Sequence, residues 1–542
     1  MICYIKKKIK EFLTYRKIIK LNKNIFKKSK KINDQIFLIE FNAFHNFHIA
    51  VSVFSNFFKK KKNCEVHAFF NYSLLSAPLK FNFINEIKWK LGNLFLIRNF
   101  NIYKSFGVKK IFKPEINKKI EIQSIEYFKK IFYKIKNKNE VLDIKIKNIL
   151  IGDLLYDTFL KSRVKPTIEI KSKEFKNFFL DFIKLFLFWH DYIDKNKING
   201  VITSHGVYSY ALVLRIADKK KIPCYIINTN VLSKFKTENY GASIYGEHKN
   251  YRKKFKHLNF HLKKNGIKKA KKILDQKLNG KVGSQVYLEH ADISSFSKPK
   301  KNIRYLEKNK KFKVLISTHD FFDSVHFYGK NFYSDFYEWL WGLSEIAKKT
   351  NFDWYIKNHP SYGGRYKIYQ RFTDEVVKNF VKKNTNIKLL PNNTSNKQLI
   401  NEGIQAVLTV YGSVAAEFPY FGVPVINACK NNLHDSYNFS ISPKSKREYE
   451  DIIKKLPEIK VCKNYKKELT EFYFMRHILI DKNWIFENYD KMIEEIGGYH
   501  NLQSINFYSY WLKYYKKSKI NRAEKNIEEF LNSKNQVLEI KQ

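Results

Sequence analysis

Short apolar runs that end in polar turns alternate with helical segments along most of this chain. Ile36–Ile39 and Gly200–His205 in the first half, and Lys313–Thr318 in the second, each have the composition of a buried strand. Strands that alternate with helices of roughly 12 residues are typical of βαβ units, and therefore of parallel sheets. Ligands bind such sheets at the carboxyl ends of their strands. The pattern predicts an α/β fold with two Rossmann-like domains, one in each half of the chain.

The length of 542 residues exceeds what one hydrophobic core supports, so several domains are expected. We predict a basic helical arm at 1–34, an N-terminal Rossmann-like domain with helical insertions at 35–230, a helical connector at 231–310, a C-terminal Rossmann-like domain at 311–464 and a helical tail at 465–542. Two such domains, whose parallel sheets face each other across a cleft, follow the plan of the GT-B architecture. We therefore predict a GT-B-like fold.

The formal net charge of +52 arises from 102 Lys and Arg residues against 50 Asp and Glu residues. Of the basic residues 11 are Arg, and the charge is spread over the whole length. Proteins that read nucleic acids favour Arg and carry a recognisable reading module, so we expect no specific nucleic-acid partner. The abundant residue types Lys, Asn, Ile, Phe and Tyr share adenine- and thymine-rich codons, which indicates base composition as the main source of the charge.

The cysteines and the N-terminus bear on where the protein works. Five dispersed cysteines without a CxxC pair indicate a reducing compartment and no disulfide framework. Lysines at 6–8 interrupt the N-terminal apolar run, so no signal peptide is expected. We predict a cytoplasmic protein. The basic arm has two interpretations: a surface helix packed on the first domain, or a peripheral contact with the inner face of the cytoplasmic membrane.

Two polar turns in the second half carry the strongest functional signal. In one of them, Gly412 permits a tight turn after a strand, and Ser413 is a favourable N-cap for a helix at 413–421. The backbone N–H groups of Ser413, Val414 and Ala415 would form an anion site at the positive end of the helix dipole. Glu417 would accept hydrogen bonds from ribose hydroxyls. The alternative is that Ser413 only caps the helix and Glu417 faces solvent.

The other polar turn is formed by residues 357–360. Pro360 favours an extended backbone at His359, which directs the side chain of His359 into the cleft. There His359 would donate to a phosphate oxygen, and Lys357 would add positive charge. A structural hydrogen bond is the alternative role for a single His at a strand end. Both turns lie in one domain, on strands that the predicted topology makes neighbours, and this favours a phosphate site.

The His-Pro turn, the Ser-bearing turn with Glu417, and the Gly-x-Pro-Val sequence at 422–425 resemble the capsule polysaccharide biosynthesis family. That family contains GT-B-type transferases that use CMP-activated acidic sugars. Similar motifs mark bacterial polysialyltransferases and CDP-glycerol glycerophosphotransferases. The resemblance, which covers roughly residues 314–430, implies that His359 and Ser413 contact the phosphate and nucleotide of an activated donor. Relatives often carry Ser-Ser or Ser-Thr where this chain has Gly412 and Ser413.

Sugar transfer requires a carboxylate or a His to take a proton from the acceptor hydroxyl. Asp320 and Asp323, after the first strand of the second domain, and His205, at a strand end of the first, are the predicted catalytic candidates. Four further residues are predicted on the acceptor side of the cleft: Glu40, His45, His48 and His319. No Asp-x-Asp motif follows a strand, so neither a metal nor another cofactor is expected.

The sequence therefore predicts a GT-B glycosyltransferase that builds a surface or capsular polysaccharide or a glycolipid. The second domain would hold a nucleotide-sugar donor. The first domain and the basic surface would hold a glycan or lipid-linked glycan acceptor. Two alternatives stay open: a polyol-phosphate transferase with a CDP-activated donor, and a non-catalytic basic protein that binds polymers or serves as an assembly subunit.

Overall fold

The computed structural model describes all residues except 1, 27–32, 76–78, 80–81, 239–243, 290, 292, 360–366, 516 and 542. Its strands are β1 (Ile36–Phe41), β2 (Glu65–Phe70), β3 (Lys110–Phe112), β4 (Lys145–Ile146), β5 (Ile149–Leu150), β6 (Ile198–Thr203), β7 (Cys224–Asn228), β8 (Val231–Lys234), β9 (Phe312–Ser317), β10 (Phe352–Lys357), β11 (Ile387–Leu389), β12 (Ala406–Thr409) and β13 (Val425–Asn427).

The helices that precede β9 are α1 (Ile2–Ile25), α2 (His45–Lys62), α3 (Phe83–Leu94), α4 (Asn99–Ser105), α5 (Lys118–Phe132), α6 (Lys138–Leu142), α7 (Gly152–Arg163), α8 (Lys173–Lys195), α9 (Ala211–Lys219), α10 (Tyr251–His257) and α11 (Phe260–Leu278). Those that follow it are α12 (Phe336–Ala347), α13 (Lys367–Lys383), α14 (Asn396–Asn401), α15 (Lys446–Lys454), α16 (Tyr465–Tyr473), α17 (Tyr489–Glu495), α18 (Ile505–Tyr514) and α19 (Lys517–Asn532).

Two large sheets organise the molecule. The first has the order β3-β2-β1-β6-β7-β8 and the second the order β11-β10-β9-β12-β13. All neighbouring strands in both sheets are parallel except β7 and β8, which pair antiparallel. Each sheet begins at a central strand, extends to one edge and then returns to build the other side. This doubly wound order confirms the predicted α/β fold with two Rossmann-like domains, here called the first and second lobes.

The central strands are buried on both faces, as parallel strands covered by helices must be. All six residues of β1 are buried, and so are all four of β12. Near-continuous apolar sequences satisfy this requirement, but β1 also contains Glu40. A carboxyl group inside a fully buried strand costs free energy unless it is hydrogen-bonded or neutral, so its position marks a place of chemical interest.

The tail and the arm both pack on the first lobe. Side chains of the tail, among them Trp484 and Phe507, share one apolar cluster with Phe54 of α2. Asn22 of α1 donates to Ser105 Oγ of α4 over 2.9 Å, in a buried contact that holds the arm against the lobe. The limits predicted for the domains stay predictions, and β8 lies inside the segment predicted as the connector.

Helix α7 of the first lobe makes the contacts that hold the second lobe in place. Asp157 accepts from the backbone N–H of His326 over 3.0 Å, and its other oxygen lies 2.6 Å from His326 Nδ1. Tyr156 donates to Asp335 Oδ2 over 2.5 Å, and Asp335 in turn caps the N-terminus of α12. Helix α7 thus supplies buried contacts between the lobes, and Thr167 adds a further hydrogen bond to Asp335 from outside this helix.

A buried ion pair anchors α7 within its own lobe. The Arg215 guanidinium of α9 donates to both carboxylate oxygens of Asp153 over 2.6 Å each and to the Leu150 carbonyl over 2.8 Å. Asp153→Asn leaves a buried guanidinium without its counter-charge, so we expect it to lower the free energy of unfolding by about 3–5 kcal/mol in urea unfolding followed by circular dichroism.

The exposed pair of Asp191 and Lys195 on α8 provides the control for this measurement. Exposed pairs contribute at most about 1 kcal/mol, so Asp191→Asn should cost little. Equal losses in the two variants would contradict the anchoring role of the buried pair.

Candidate functional site

The candidate site lies where the carboxyl ends of the two sheets meet. In each sheet, strands are first added on one side of the central strand and later on its other side. The strand order therefore switches between β1 and β6 in the first sheet and between β9 and β12 in the second. Such switch points leave a crevice at the carboxyl edge, and ligands of open α/β sheets bind there. The predicted residues His205 and His319 lie two positions after β6 and β9, and Ser413 lies four positions after β12.

Asp323 joins the lobes across this cleft. Its Oδ1 accepts from Tyr208 OH over 2.6 Å and from Lys161 Nζ over 3.1 Å, and both donors belong to the first lobe. The Asp323 side chain is 50% exposed. Partial loss of water contact raises its pKa, but the Lys161 ammonium and the Tyr208 hydroxyl outweigh this effect and hold the pKa below its usual value. The carboxylate therefore stays ionised, which suits an electrostatic or orienting role better than proton transfer.

His205 projects from the first lobe into the same cleft. Its ring is exposed, and its Nδ1 lies 2.8 Å from Ser204 Oγ. The surrounding protein lowers the pKa of His205, while the negative charge of Asp323 acts in the opposite direction. A neutral, accessible imidazole can accept a proton, so the geometry supports His205 as a base.

Glu40 lies beneath His205 and not in the cleft itself. It is fully buried at the end of β1, and its Oε2 accepts from the backbone N–H of Ser204 over 2.6 Å. Burial raises its pKa to about 7, even though the Ser204 hydrogen bond favours the ionised form. Ser204 thus contacts both Glu40 and His205 and links the buried carboxyl group to the cleft, whereas acceptor binding by Glu40 stays a prediction.

His45 and His48 are held in packing contacts beside the cleft. His48 Nδ1 lies 2.5 Å from Tyr508 OH, and its Nε2 lies 2.9 Å from the Asn42 carbonyl oxygen. His45 Nε2 lies 2.8 Å from Tyr15 OH. Burial lowers the pKa of His45 to about 4 and that of His48 to about 3. These contacts hold α2 against the tail and the arm, and acceptor binding by either His stays a prediction.

His319 supports the turn that carries Gly412. Its Nε2 accepts from the backbone N–H groups of Val410 and Tyr411 over 3.2 and 3.4 Å, and burial lowers its pKa to about 3. A Cβ atom at position 412 would lie 2.8 Å from Thr409 Oγ1. A side chain at 412 would therefore displace the Thr409 hydroxyl, so the close packing of this turn favours glycine.

The predicted helix at 413–421 is wrong. Two 3₁₀ turns occupy this segment, Ser413–Ala416 and Phe418–Phe421. Pro419 has no backbone N–H and cannot continue an α-helical ladder from the first turn. The Ala415 N–H already donates to the Gly412 carbonyl over 3.0 Å. The anion site is therefore reduced to an exposed turn at Ser413 and Val414, without the dipole of a long helix.

Glu417 and Lys357 are buried and are each paired with another side chain. Glu417 is buried and forms a 2.9 Å ion pair with Lys277 of α11. Lys357 is also buried and donates to Asn396 Oδ1 over 2.7 Å, and burial lowers its pKa to about 8 against the opposing charge of Glu417. Both side chains are engaged in these buried contacts, and their predicted contacts with ribose and phosphate stay predictions.

The remaining predicted residues follow β9 and β10. His359 is half-buried, and its backbone N–H donates to Thr318 Oγ1 over 3.2 Å. Its positive charge, when protonated, acts on Asp323 and His319, so the three side chains share one region. Asp320 Oδ1 accepts from the backbone N–H of Phe322 over 3.2 Å, which caps the turn after β9. Pro360 lies outside the described residues.

Sequence reasoning missed two residues of the cleft. Tyr208 lies five positions after the end of β6 and has a positive φ of 55°. Its position after a strand end was the one sequence feature that could have predicted it as a cleft residue. Lys161 arrives from α7, in a region of lysine-rich helices where no motif distinguishes it. Over the described part of the chain, no group of three or more His, Cys, Asp or Glu side chains could hold a metal ion.

Replacing Glu40 by Gln tests the assigned burial of its carboxyl group. Because its folded-state pKa of about 7 exceeds its ordinary value of 4.5, the protonated form stabilises the fold fully below pH 4.5, and this contribution is lost as the pH rises through 7. Gln mimics the protonated form. The variant should match the wild type at pH 4.5 and exceed its unfolding free energy at pH 8 by on the order of 3 kcal/mol.

Urea unfolding at the two pH values measures this difference. The exposed Glu126→Gln on α5 is the matched control and should leave the pH dependence unchanged. A Glu40→Gln variant that is less stable than the wild type at pH 8 would show that the carboxylate is ionised and well satisfied.

Comparison with known proteins gives no family. Neither protein-family models nor curated proteins match this chain. Among solved structures, UDP-GlcNAc 2-epimerase from Neisseria meningitidis bound to UDP-GlcNAc is 10% identical, with 82% of this chain and 95% of that chain covered and a TM-score of 0.20. Another UDP-N-acetylglucosamine 2-epimerase is 10% identical over 83% and 95%, with a TM-score of 0.21. These low scores carry no argument, so the fold rests on the observed sheet order.

Proposed function

We propose that this protein is a glycosyltransferase that moves a sugar from a nucleotide-activated donor to a surface glycan or glycolipid acceptor. The arrangement of the two doubly wound sheets supports this proposal, because their switch points open into one cleft between the lobes. His205 of the first lobe and Asp323 of the second interact electrostatically across that cleft. A two-substrate reaction needs such a site, with one substrate on each lobe.

The second lobe is the proposed donor side. His359 follows β10 and the Ser413 turn follows β12; contrary to the prediction from the sequence, these strands are not neighbours but flank β9 on either side. The resemblance to the capsule polysaccharide biosynthesis family implies that both residues contact the donor phosphate. His359 is held by Thr318, while the Gly412 turn is held by Thr409 and His319. Hydrogen-bond donors that are already oriented towards the leaving phosphate stabilise its negative charge without a reorganisation cost.

The first lobe is the proposed acceptor side, with His205 as the base. As the bond from the anomeric carbon to the phosphate oxygen breaks, an acceptor hydroxyl oxygen bonds to that carbon and its proton passes to His205. The ionised Asp323 stabilises the imidazolium that results. Asp320, which caps the turn after β9, is the alternative base from the second lobe.

Removing either imidazole should reduce turnover. His205→Ala is expected to lower kcat roughly 10²–10⁴-fold through loss of the base. His359→Ala is expected to lower kcat and to weaken donor binding, because it removes a phosphate contact. Release of nucleotide from CMP-, CDP- and UDP-linked sugars measures both effects, and the exposed His261→Ala on α11 is the control. Full activity in both site variants would remove this assignment.

The products separate this proposal from its alternatives. Transfer of an intact sugar releases the nucleotide with its phosphates and lengthens the acceptor. A polyol-phosphate transferase would release CMP from a CDP-linked donor and leave a phosphate on the product. Conversion of a UDP-sugar without any acceptor would identify an epimerase. Steeply salt-dependent polymer binding without turnover would favour the non-catalytic alternative.

The pH dependence of kcat/KM reports on the base. Because the cleft lowers the pKa of His205, the acidic limb should lie below the ordinary His value of about 6.5. Asp323 raises that pKa, so Asp323→Asn should move the limb to still lower pH. A limb near pH 7 that disappears in Glu40→Gln would instead assign the titration to Glu40.

A further inference from the structure

Helix α3 and the turn that follows it expose a dense set of apolar side chains. Phe83 is 80% exposed, Leu94 72% and Phe95 67%. Four more apolar side chains of the same segment are exposed: Ile84, Ile87, Leu91 and Ile97. Large contiguous apolar patches are rare on soluble monomers and mark sites of interaction with proteins or membranes.

The opposite face of α3 is firmly packed at the carboxyl edge of the first sheet. The Trp89 ring lies 5.7 Å from that of Phe41, at the end of β1, and 5.6 Å from that of Phe70, at the end of β2. A Cβ atom at Gly92 would lie 2.7 Å from the Phe100 ring, so close packing on α4 requires glycine. The exposed face is therefore held in a fixed position beside the cleft.

Helix α1 lies beside the same edge and supplies positive charge. It contains eight basic residues and one acidic residue, and it also exposes Ile9, Phe12 and Leu13. With α18 it forms a groove of about 830 Å³ that has apolar side chains and lysines in its lining. Tyr15 of α1 contacts His45 at the start of α2, which follows β1.

Helix α4 joins the two helices into one surface. Asn22 of α1 contacts Ser105 at one end of α4, and α3 packs on Phe100 at the other. We infer that the exposed side chains of α1, α3 and residues 95–97, here called the α1–α3 face, dock on an anionic lipid bilayer. Apolar side chains enter the boundary between head groups and acyl chains, while lysines neutralise the lipid phosphates.

The positive charge of the α1–α3 face favours binding to an anionic bilayer over binding to a second copy of the chain. In a symmetric dimer the same patch faces itself, so the basic helix of one copy would approach that of the other. Like charges brought together in this way repel each other. A bilayer with anionic lipids offers both an apolar layer and negative charge, and it therefore complements both features of the face.

The position of the face also selects a class of acceptor. Helix α3 packs on Phe41 at the carboxyl end of β1, and Tyr15 of α1 contacts His45 just after that strand. Docking would therefore bring the proposed acceptor side of the cleft to the membrane surface. The acceptor would then be a lipid-linked glycan taken from the bilayer. This second step rests on the proposed transferase function, whereas membrane docking does not.

Co-sedimentation with vesicles tests the docking. The full chain should bind vesicles of phosphatidylglycerol and phosphatidylcholine, bind pure phosphatidylcholine weakly, and lose affinity as the salt concentration rises. The double variant Leu94→Glu/Phe95→Glu should lower binding to the anionic vesicles by at least roughly tenfold. Phe260→Glu on α11 removes an aromatic side chain that is 69% exposed, and as the matched control it should bind like the wild type.

Equal losses in the α3 variant and the control, or equal binding to both vesicle types, would overturn the docking. So would a wild-type dimer, seen by analytical ultracentrifugation without lipid, that the α3 variant abolishes.

For the acceptor, nucleotide release is compared between a glycolipid in vesicles and the same glycan in solution. The wild type should prefer the vesicle form, and the α3 variant should lose only that preference. No preference in the wild type would overturn the acceptor class, and no turnover with either form would count against the transferase function alone.

Discussion

Helix α7 carries the contacts on which the geometry of the cleft depends. It is anchored in the first lobe by the Asp153–Arg215 pair and reaches the second lobe through Asp157 and His326. Burial opposes protonation of His326, but the Asp157 carboxylate outweighs it and raises the pKa of the imidazole. A buried, hydrogen-bonded pair tolerates few alternative geometries, because each one leaves a charge without its partner. The cleft residues Lys161 and Asp323 meet as a result of this fixed arrangement.

Different surroundings shift the pKa values of the titratable groups of the cleft in different directions. Glu40 and Asp323 are both carboxylic acids, but burial raises the pKa of Glu40, whereas Lys161 and Tyr208 overcome the partial loss of water contact and lower that of Asp323. His205 is kept neutral between them by the surrounding protein. Divergent pKa values of neighbouring groups are a common way to assign acid and base roles within one site. The same argument supports the proposed assignment of proton transfer to His205 and of charge stabilisation to Asp323.

The position of the basic residues in the structure is more informative than the net charge of the whole chain. Spread over 542 residues, the excess of basic over acidic residues by itself singles out no part of the chain. On the α1–α3 face, the basic helix α1 lies beside the exposed apolar side chains of α3. Within the described part of the chain, none of the helices is both long and apolar enough to span a membrane. Surface docking, as proposed above, needs only the apolar side chains and the charge.

Local sequence determined the α/β class, the two doubly wound domains and the positions of the two polar turns of the second lobe. It did not reveal β8, the 3₁₀ turns after Gly412 or the place of β9 between the strands that carry the two turns. Apolar runs, strand-end turns and residues such as Gly412 act over a few positions, so these features can be recognised without a fold. The roles of Glu417, Lys357, His45 and His48 were decided only by tertiary structure, because each meets a partner from a distant segment. Lys277 reaches Glu417 from the connector, and Tyr508 reaches His48 from the tail. Where a polar side chain points depends on such distant partners, since burial without them is too costly.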